Sequence, residues 1–206
     1  MTLSDHVQTW VQWLTYLPIL ACSIVGFGIT AYKWLQFRRP LVPSDDALTA
    51  ITQLVAQDET QAAANRAGIE PALGARLIVA ALAAHGQSRD VVQQQVLLAG
   101  RRVANDVEFG LGALALIASL GPLFGLLGTV VGIVLVFNRL ATGVSARPAD
   151  LAGGIGVALY TTILGLIVGI LALVFHRYLA ARADRAVTAL EELGASVVTL
   201  VAERRP

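Results

Sequence analysis

From Phe109 to Asn138 the chain runs for 30 residues without a charged side chain. As one helix that run extends about 45 Å at about 1.5 Å per residue, more than a ~30 Å hydrocarbon core needs. Its inner part is therefore expected to project beyond the bilayer, buried against protein. The run is apolar enough for lipid but is not built as a plain anchor, since Gly121, Gly125, Gly128 and Gly132 recur at spacings of 4, 3 and 4. All four fall on one helix face, where a neighbouring backbone can approach closely. Pro122 follows the first of them and marks Gly121-Pro122 as the place for a bend.

Two further uncharged runs flank this one in the chain. Leu14–Tyr32 is long enough to cross a bilayer, with Trp10, Trp13 and Tyr16 before or at its start and Tyr32, Trp34 and Phe37 at its end, like two interfacial aromatic belts. Positive charge follows this run, in Lys33, Arg38 and Arg39, whereas a secretory signal carries it in front; the span is expected to be retained, with its N-terminus outside. Leu151–Phe175 is the third run. A mean hydropathy of +0.68 agrees with a membrane protein. Of the 15 basic residues only Arg139 and Arg147 lie on the short loop between the second and third runs, which sets N-out, C-in.

The expected organisation is an all-α integral membrane protein with three transmembrane helices and a cytoplasmic helical domain. It divides into a periplasmic N-terminus (1–13), transmembrane helix 1 (14–37), a cytoplasmic domain (38–108) and transmembrane helix 2 with its cytoplasmic extension (109–138). A periplasmic loop (139–150), transmembrane helix 3 (151–178) and a C-terminal cytoplasmic helix (179–206) complete it. Within the soluble part, Ser44 caps a helix with Asp45 and Asp46 in its first turn and Leu48, Ile51 and Val55 on one face, ending at Gly68 and Pro71. A shorter helix carries Leu73 and Leu77 and stops near His85-Gly86. Val92, Val96, Ala99 and Val103 mark a third, capped by Ser88, which is expected to run straight into the membrane. Leu179, Ala183, Ala186, Leu190, Val197 and Val201 mark the apolar face of the last helix.

No acidic residue falls within the three runs, and Cys22 is the single cysteine. The histidines His6, His85 and His176 are scattered, so no catalytic pair, metal cluster or disulfide is expected, and no enzyme, cofactor or metal. A proton path through a membrane usually needs an ionisable group, and here it would have to come from another chain. The polar side chains available are hydroxyls: Ser23, Thr30, Thr129, Tyr160, Thr161 and Thr162. Thr129 lies about 14 Å inside Asn138 and Thr162 about 16 Å inside Leu151, so the two share a depth near the bilayer middle. Thr162 also belongs to a small-residue stripe with Ala158, Gly165, Gly169 and Ala172. A lone membrane threonine most often bonds its own i−4 carbonyl and does nothing more; the matched depth is what singles this pair out. Glycine stripes, equally, serve tight packing within one hairpin or against a second copy.

The segment Gly121-Pro122-Leu123-Phe124-Gly125-Leu126-Leu127-Gly128-Thr129-Val130-Val131-Gly132-Ile133 resembles the signature of the MotA/TolQ/ExbB proton-channel family. So do Leu151-Ala152-Gly153-Gly154-Ile155, Ala158-Leu159-Tyr160-Thr161-Thr162 and Gly165-Leu166. Three spans resemble the ExbB/TolQ branch, although Val157 stands where that branch has glutamate. The resemblance implies a homopentamer around an ExbD/TolR-like single-span partner whose aspartate carries the proton, coupled to a TonB/TolA-like protein at the bacterial inner membrane. Thr129 and Thr162, with Thr161 and Tyr160 in support, would line the ion pathway for H⁺ or Na⁺. The alternative is a passive oligomeric scaffold that holds a partner without conducting ions.

Overall fold

The computed structural model describes residues 3–141 and 148–202. Seven helices make up this part: α1 (Leu3–Gln36), α2 (Asp45–Ala56), α3 (Thr60–Gly68), α4 (Ala75–Ala83), α5 (Arg89–Glu108), α6 (Leu111–Ala141) and α7 (Pro148–Ala202). There is no strand among the described residues. Residues 142–147 of the expected outer loop, including Arg147, and the side chains of Trp10 and Arg139 lie outside them. α1, α6 and α7 each contain a stretch long and apolar enough to cross a membrane. This is an all-α, multi-pass membrane protein.

The chain forms two compact units, Met1–Ala31 with Gly110–Tyr178, and Tyr32–Phe109 with Leu179–Pro206. The first is the membrane unit. Its helices expose large apolar side chains outward, Phe27, Leu126 and Ile170 among them, as expected of helices whose solvent is lipid or another apolar chain. Small residues face inward. Gly26 of α1 lies over Leu114 and Ile117 of α6, and the hydroxyls of Ser23 and Thr30 bond the carbonyls of Ile19 and Gly26 one turn earlier at 3.0 and 2.8 Å. Both are thus satisfied inside α1 and leave the polar chemistry of this unit to α6 and α7.

The second unit is a small helical domain with an aliphatic core. Ser44 caps α2 by accepting from the Ala47 amide at 3.4 Å, and Ala47, Ile51 and Val55 form its buried stripe, with Leu48 at the edge. Ala63 and Ala67 of α3, Leu77, Ile78, Ala81 and Leu82 of α4, and Val92, Val96, Val103 and Val107 of α5 complete the core with α7. All six residues expected on the apolar face of the last helix are buried, joined by Leu193 and Val198. Gly74, ahead of α4, lets Leu190 and Leu193 of α7 close over it while its amide bonds the Leu41 carbonyl at 2.8 Å.

Two local expectations change. The single soluble helix expected between Ser44 and Gly68 is two, because the chain turns at Asp58, whose φ is +62°. Amides of Asp58 and Glu59 close back on the carbonyls of Val55 and Leu54 at 3.3 and 3.0 Å, a Schellman ending with aspartate where glycine is usual. The expected unbroken passage from the soluble helix into the second span is interrupted too: α5 stops at Glu108, Phe109 is extended (φ −51°, ψ 131°) and Gly110 takes φ +83°. Gly110 is the breaker, a residue that reaches this region without strain. Gly121-Pro122, in contrast, does not end α6, which continues through it to Ala141. α7 starts with proline in the first turn, where its missing amide is no loss, and runs unbroken to Ala202.

Candidate functional site

α6 and α7 meet along their small residues, and the pairings run in opposite chain directions. Gly121 lies against Gly165 and Gly169, Gly125 against Thr161, Thr162 and Gly165, Gly128 against Thr161, Gly132 against Ala158, and Val136 against Gly154. As the number rises on α6 it falls on α7, which is an antiparallel hairpin. The approach is backbone to backbone. A Cβ on Gly165 would sit 2.5 Å from the Gly121 carbonyl oxygen, and one on Gly121 would sit 3.0 Å from that of Gly165. Gly169 packs on the Pro122 ring and near the Ala118 oxygen, the carbonyl that a proline four residues on leaves without its helical donor. Every glycine of the α6 stripe and its counterparts on α7 is therefore consumed inside this hairpin.

Close backbones bring three threonines together in the middle of it. The Thr129 hydroxyl donates to the Leu126 carbonyl at 2.7 Å. The Thr161 hydroxyl lies 2.6 Å from the Ala158 carbonyl and 3.3 Å from that of Gly125. Thr162 faces the Gly125 carbonyl at 3.0 Å and the Thr129 oxygen at 3.3 Å. A hydroxyl has one proton. With that of Thr129 on Leu126, Thr129 can only accept from Thr162, and a directed chain from Thr162 through Thr129 to a backbone carbonyl closes when the single Thr162 proton is on Thr129 rather than on the Gly125 carbonyl. The Gly125 carbonyl lies within reach of both α7 hydroxyls, because Gly125 has no side chain, and is the alternative acceptor for each.

The four hydroxyl residues singled out by the sequence thus separate. Thr129 and Thr162 touch each other. Thr161, 3% exposed, is wedged between the helices against Gly128 and serves the hairpin's cohesion. Tyr160 stands apart, 65% exposed and about 200° around α7 from Thr162 at about 100° per residue. Beside Thr161, toward the ends of α6 and α7 near Ala141 and Pro148, a cleft of about 240 Å³ is lined by Gly128, Gly132, Gly153, Val157 and Tyr16. Val157 makes its wall apolar where a carboxylate would have made it charged.

The site is neutral: the stretches 110–138 and 151–175 hold no ionisable residue other than the exposed Tyr160. Nor does any group of His, Cys, Asp and Glu able to hold a metal occur among the described residues. What it offers is a short hydroxyl relay and carbonyl oxygens in an apolar surrounding, able to accept or pass a hydrogen bond but not to store a charge.

Two features escaped the sequence reading. The Gly125 carbonyl carries no side-chain signal, since its role depends on what α7 brings to it. Lys33 reads as a membrane-flanking cation, yet it is 0% exposed, and its ammonium donates to the side-chain oxygen of Gln36 and to the carbonyls of Asp106 and Val107.

Comparison with known proteins places this geometry. Residues 56–192 match the MotA/TolQ/ExbB proton channel family. An ExbB homologue of Methanothermobacter thermautotrophicus is 33% identical over 86% of this chain, which covers 63% of the relative. The biopolymer transport protein ExbB of Xanthomonas campestris is 28% identical over 78% of the chain and 69% of its own length. The Tol-Pal system protein TolQ of Pseudomonas aeruginosa is 37% identical over 48% of the chain and 45% of its own. The chain spans less than two thirds of the length of the Methanothermobacter relative. With a match over most of its length and both signature segments on one tight hairpin, the chain belongs to the MotA/TolQ/ExbB proton channel family, on its ExbB/TolQ-like side.

Proposed function

We propose that the chain is the ring subunit of an ion-driven motor in a bacterial inner membrane, oriented N-out and C-in. It conducts H⁺, or Na⁺, together with a single-span ExbD/TolR-like partner and energises a TonB/TolA-like protein for outer-membrane transport or envelope maintenance. The observation that carries this reading is the Thr162–Thr129 contact at 3.3 Å in a hairpin without an ionisable side chain beside it. Hydroxyls so placed can hydrogen-bond a carboxyl group through both of its protonation states, donating to the carboxylate and accepting from the acid, but they cannot carry the charge themselves. The charge-bearing group is supplied by the partner, and several copies of this chain, five by family analogy, surround it.

A passive scaffold that oligomerises through glycine stripes is the rival. The packing argues against that form of it, because the stripes of α6 and α7 are occupied by one another. Co-reconstitution with the partner in liposomes under an imposed potential decides between them. Thr129→Val with Thr162→Val should cut ion influx at least about tenfold, the size of one lost hydrogen bond to a charged group at about 1.5–3 kcal/mol, while the complex still assembles. Undiminished influx from an assembled double variant would overturn the ion-pathway reading.

A further inference from the structure

Helix α5 ends in a way that its own backbone does not complete. The amide of Phe109 closes on the Asn105 carbonyl at 2.9 Å. In a continuing helix the carbonyls of Asp106 and Val107 would next receive the amides of Gly110 and Leu111. The extended Phe109 and the positive φ of Gly110 turn the chain away from that path.

Two side chains from the end of α1 take the place of those amides. The Lys33 ammonium donates to the Asp106 carbonyl at 3.0 Å and to that of Val107 at 2.8 Å, and its third proton goes to the Gln36 side-chain oxygen at 2.6 Å. The Gln36 amide nitrogen adds a second bond to the Asp106 carbonyl at 3.1 Å. Rings of Tyr32 and Phe37 lie 5.7 and 6.0 Å from the ammonium. All three donors of a fully buried cation are thereby used, and two orphan carbonyls at a helix C-terminus receive positive charge, the favourable sign there. Neither partner is well satisfied alone, since an unpaired buried cation and unpaired buried carbonyls are each costly.

We propose that Lys33 and Gln36 together form a cap, supplied from α1, that keeps α5 and α6 as separate helices, and that without it the two fuse into one rod through Gly110. The residue pattern favours the rod: from Arg89 to Asn138 the helix breaks only at Phe109-Gly110, and glycine is tolerated inside a helix at about 1 kcal/mol. The break therefore depends on the Lys33 bonds. This device is independent of ion conduction.

Hydrogen exchange of the full chain in nanodiscs tests it. In Lys33→Met the amides of Gly110 and Leu111, read in peptides covering 109–112, should exchange at least about tenfold more slowly as they pair with the freed carbonyls. Lys33→Arg, which can still donate to both, should exchange as the parent does. Exchange in Lys33→Met that is unchanged or faster would overturn the proposal, as it would mean that the end of α5 frays rather than fuses. If Lys33→Met does not accumulate, Lys33→Met combined with Gly110→Ala poses the same question, because alanine disfavours φ +83° and supports the fused helix. It should slow the same amides, and unchanged or faster exchange counts against the proposal equally.

Discussion

Gly165 of α7 meets Gly125 of α6 with no side chain between them: a Cβ on Gly165 would lie 2.7 Å from the Gly125 Cα. The atoms in the way are backbone, which cannot step aside as a rotamer can. Gly165→Ala should therefore destabilise the protein by about 1–3 kcal/mol, the usual range for overpacking a closed interface, and lower its thermal midpoint in detergent. Gly112→Ala, at a position where an added Cβ meets nothing within 4 Å, should be neutral or slightly stabilising through its better helix propensity.

Thr161 and Thr162 are neighbours with separable roles. Thr161→Val leaves the Thr162–Thr129 pair in place but removes a buried bond between the helices, so stability should fall by about 1 kcal/mol while conduction per assembled complex stays near the parent's. Thr162→Val also removes a bond between the helices and should cost a similar amount of stability, about 1 kcal/mol, but it should lower ion influx as well, which Thr161→Val does not. Thr162→Ser retains the hydroxyl and should restore most of the influx.

Asp58 holds a left-handed conformation that closes α2. Glycine adopts it with less strain, so Asp58→Gly should stabilise the soluble unit by about 0.5–1 kcal/mol. A β-branched residue is the worst choice there, and Asp58→Val should destabilise it by more than that amount. Thermal unfolding of the full chain followed by circular dichroism gives both signs.

The ion pair between Arg76 and Asp106 has a good distance, 2.8 Å, but both side chains are more than half exposed. Screening by water should leave Arg76→Ala within about 0.5 kcal/mol of the parent, with little dependence on salt in the same melt.

Periodicity made the large elements legible. The three spans, the apolar face of the last helix from Leu179 to Val201, the Ser44 cap and the depth match of Thr129 with Thr162 all follow from spacing along a single helix, which a sequence displays directly. The breaks were harder. Asp58 adopts an unusual φ that its neighbours Gln57 and Glu59 do not announce, and no break is visible at Gly110 because its conformation is decided by Lys33, 77 positions earlier. The same limit applies within the candidate site. Thr162 was visible as a hydroxyl at the right depth, but its pairing with the Gly125 carbonyl, and the wedged position of Thr161, arise only when two backbones touch.

Because the glycines of α6 are spent on α7, the surface that α6 turns outward is made of Leu123, Leu126, Leu127, Val130, Val134 and Phe137. Contacts on such a surface are dispersive and non-directional, with no hydrogen bond to break when one helix slides past another. A rigid hairpin with a greasy exterior has the mechanical character of a bearing: firm within itself, and free to exchange one apolar neighbour for the next.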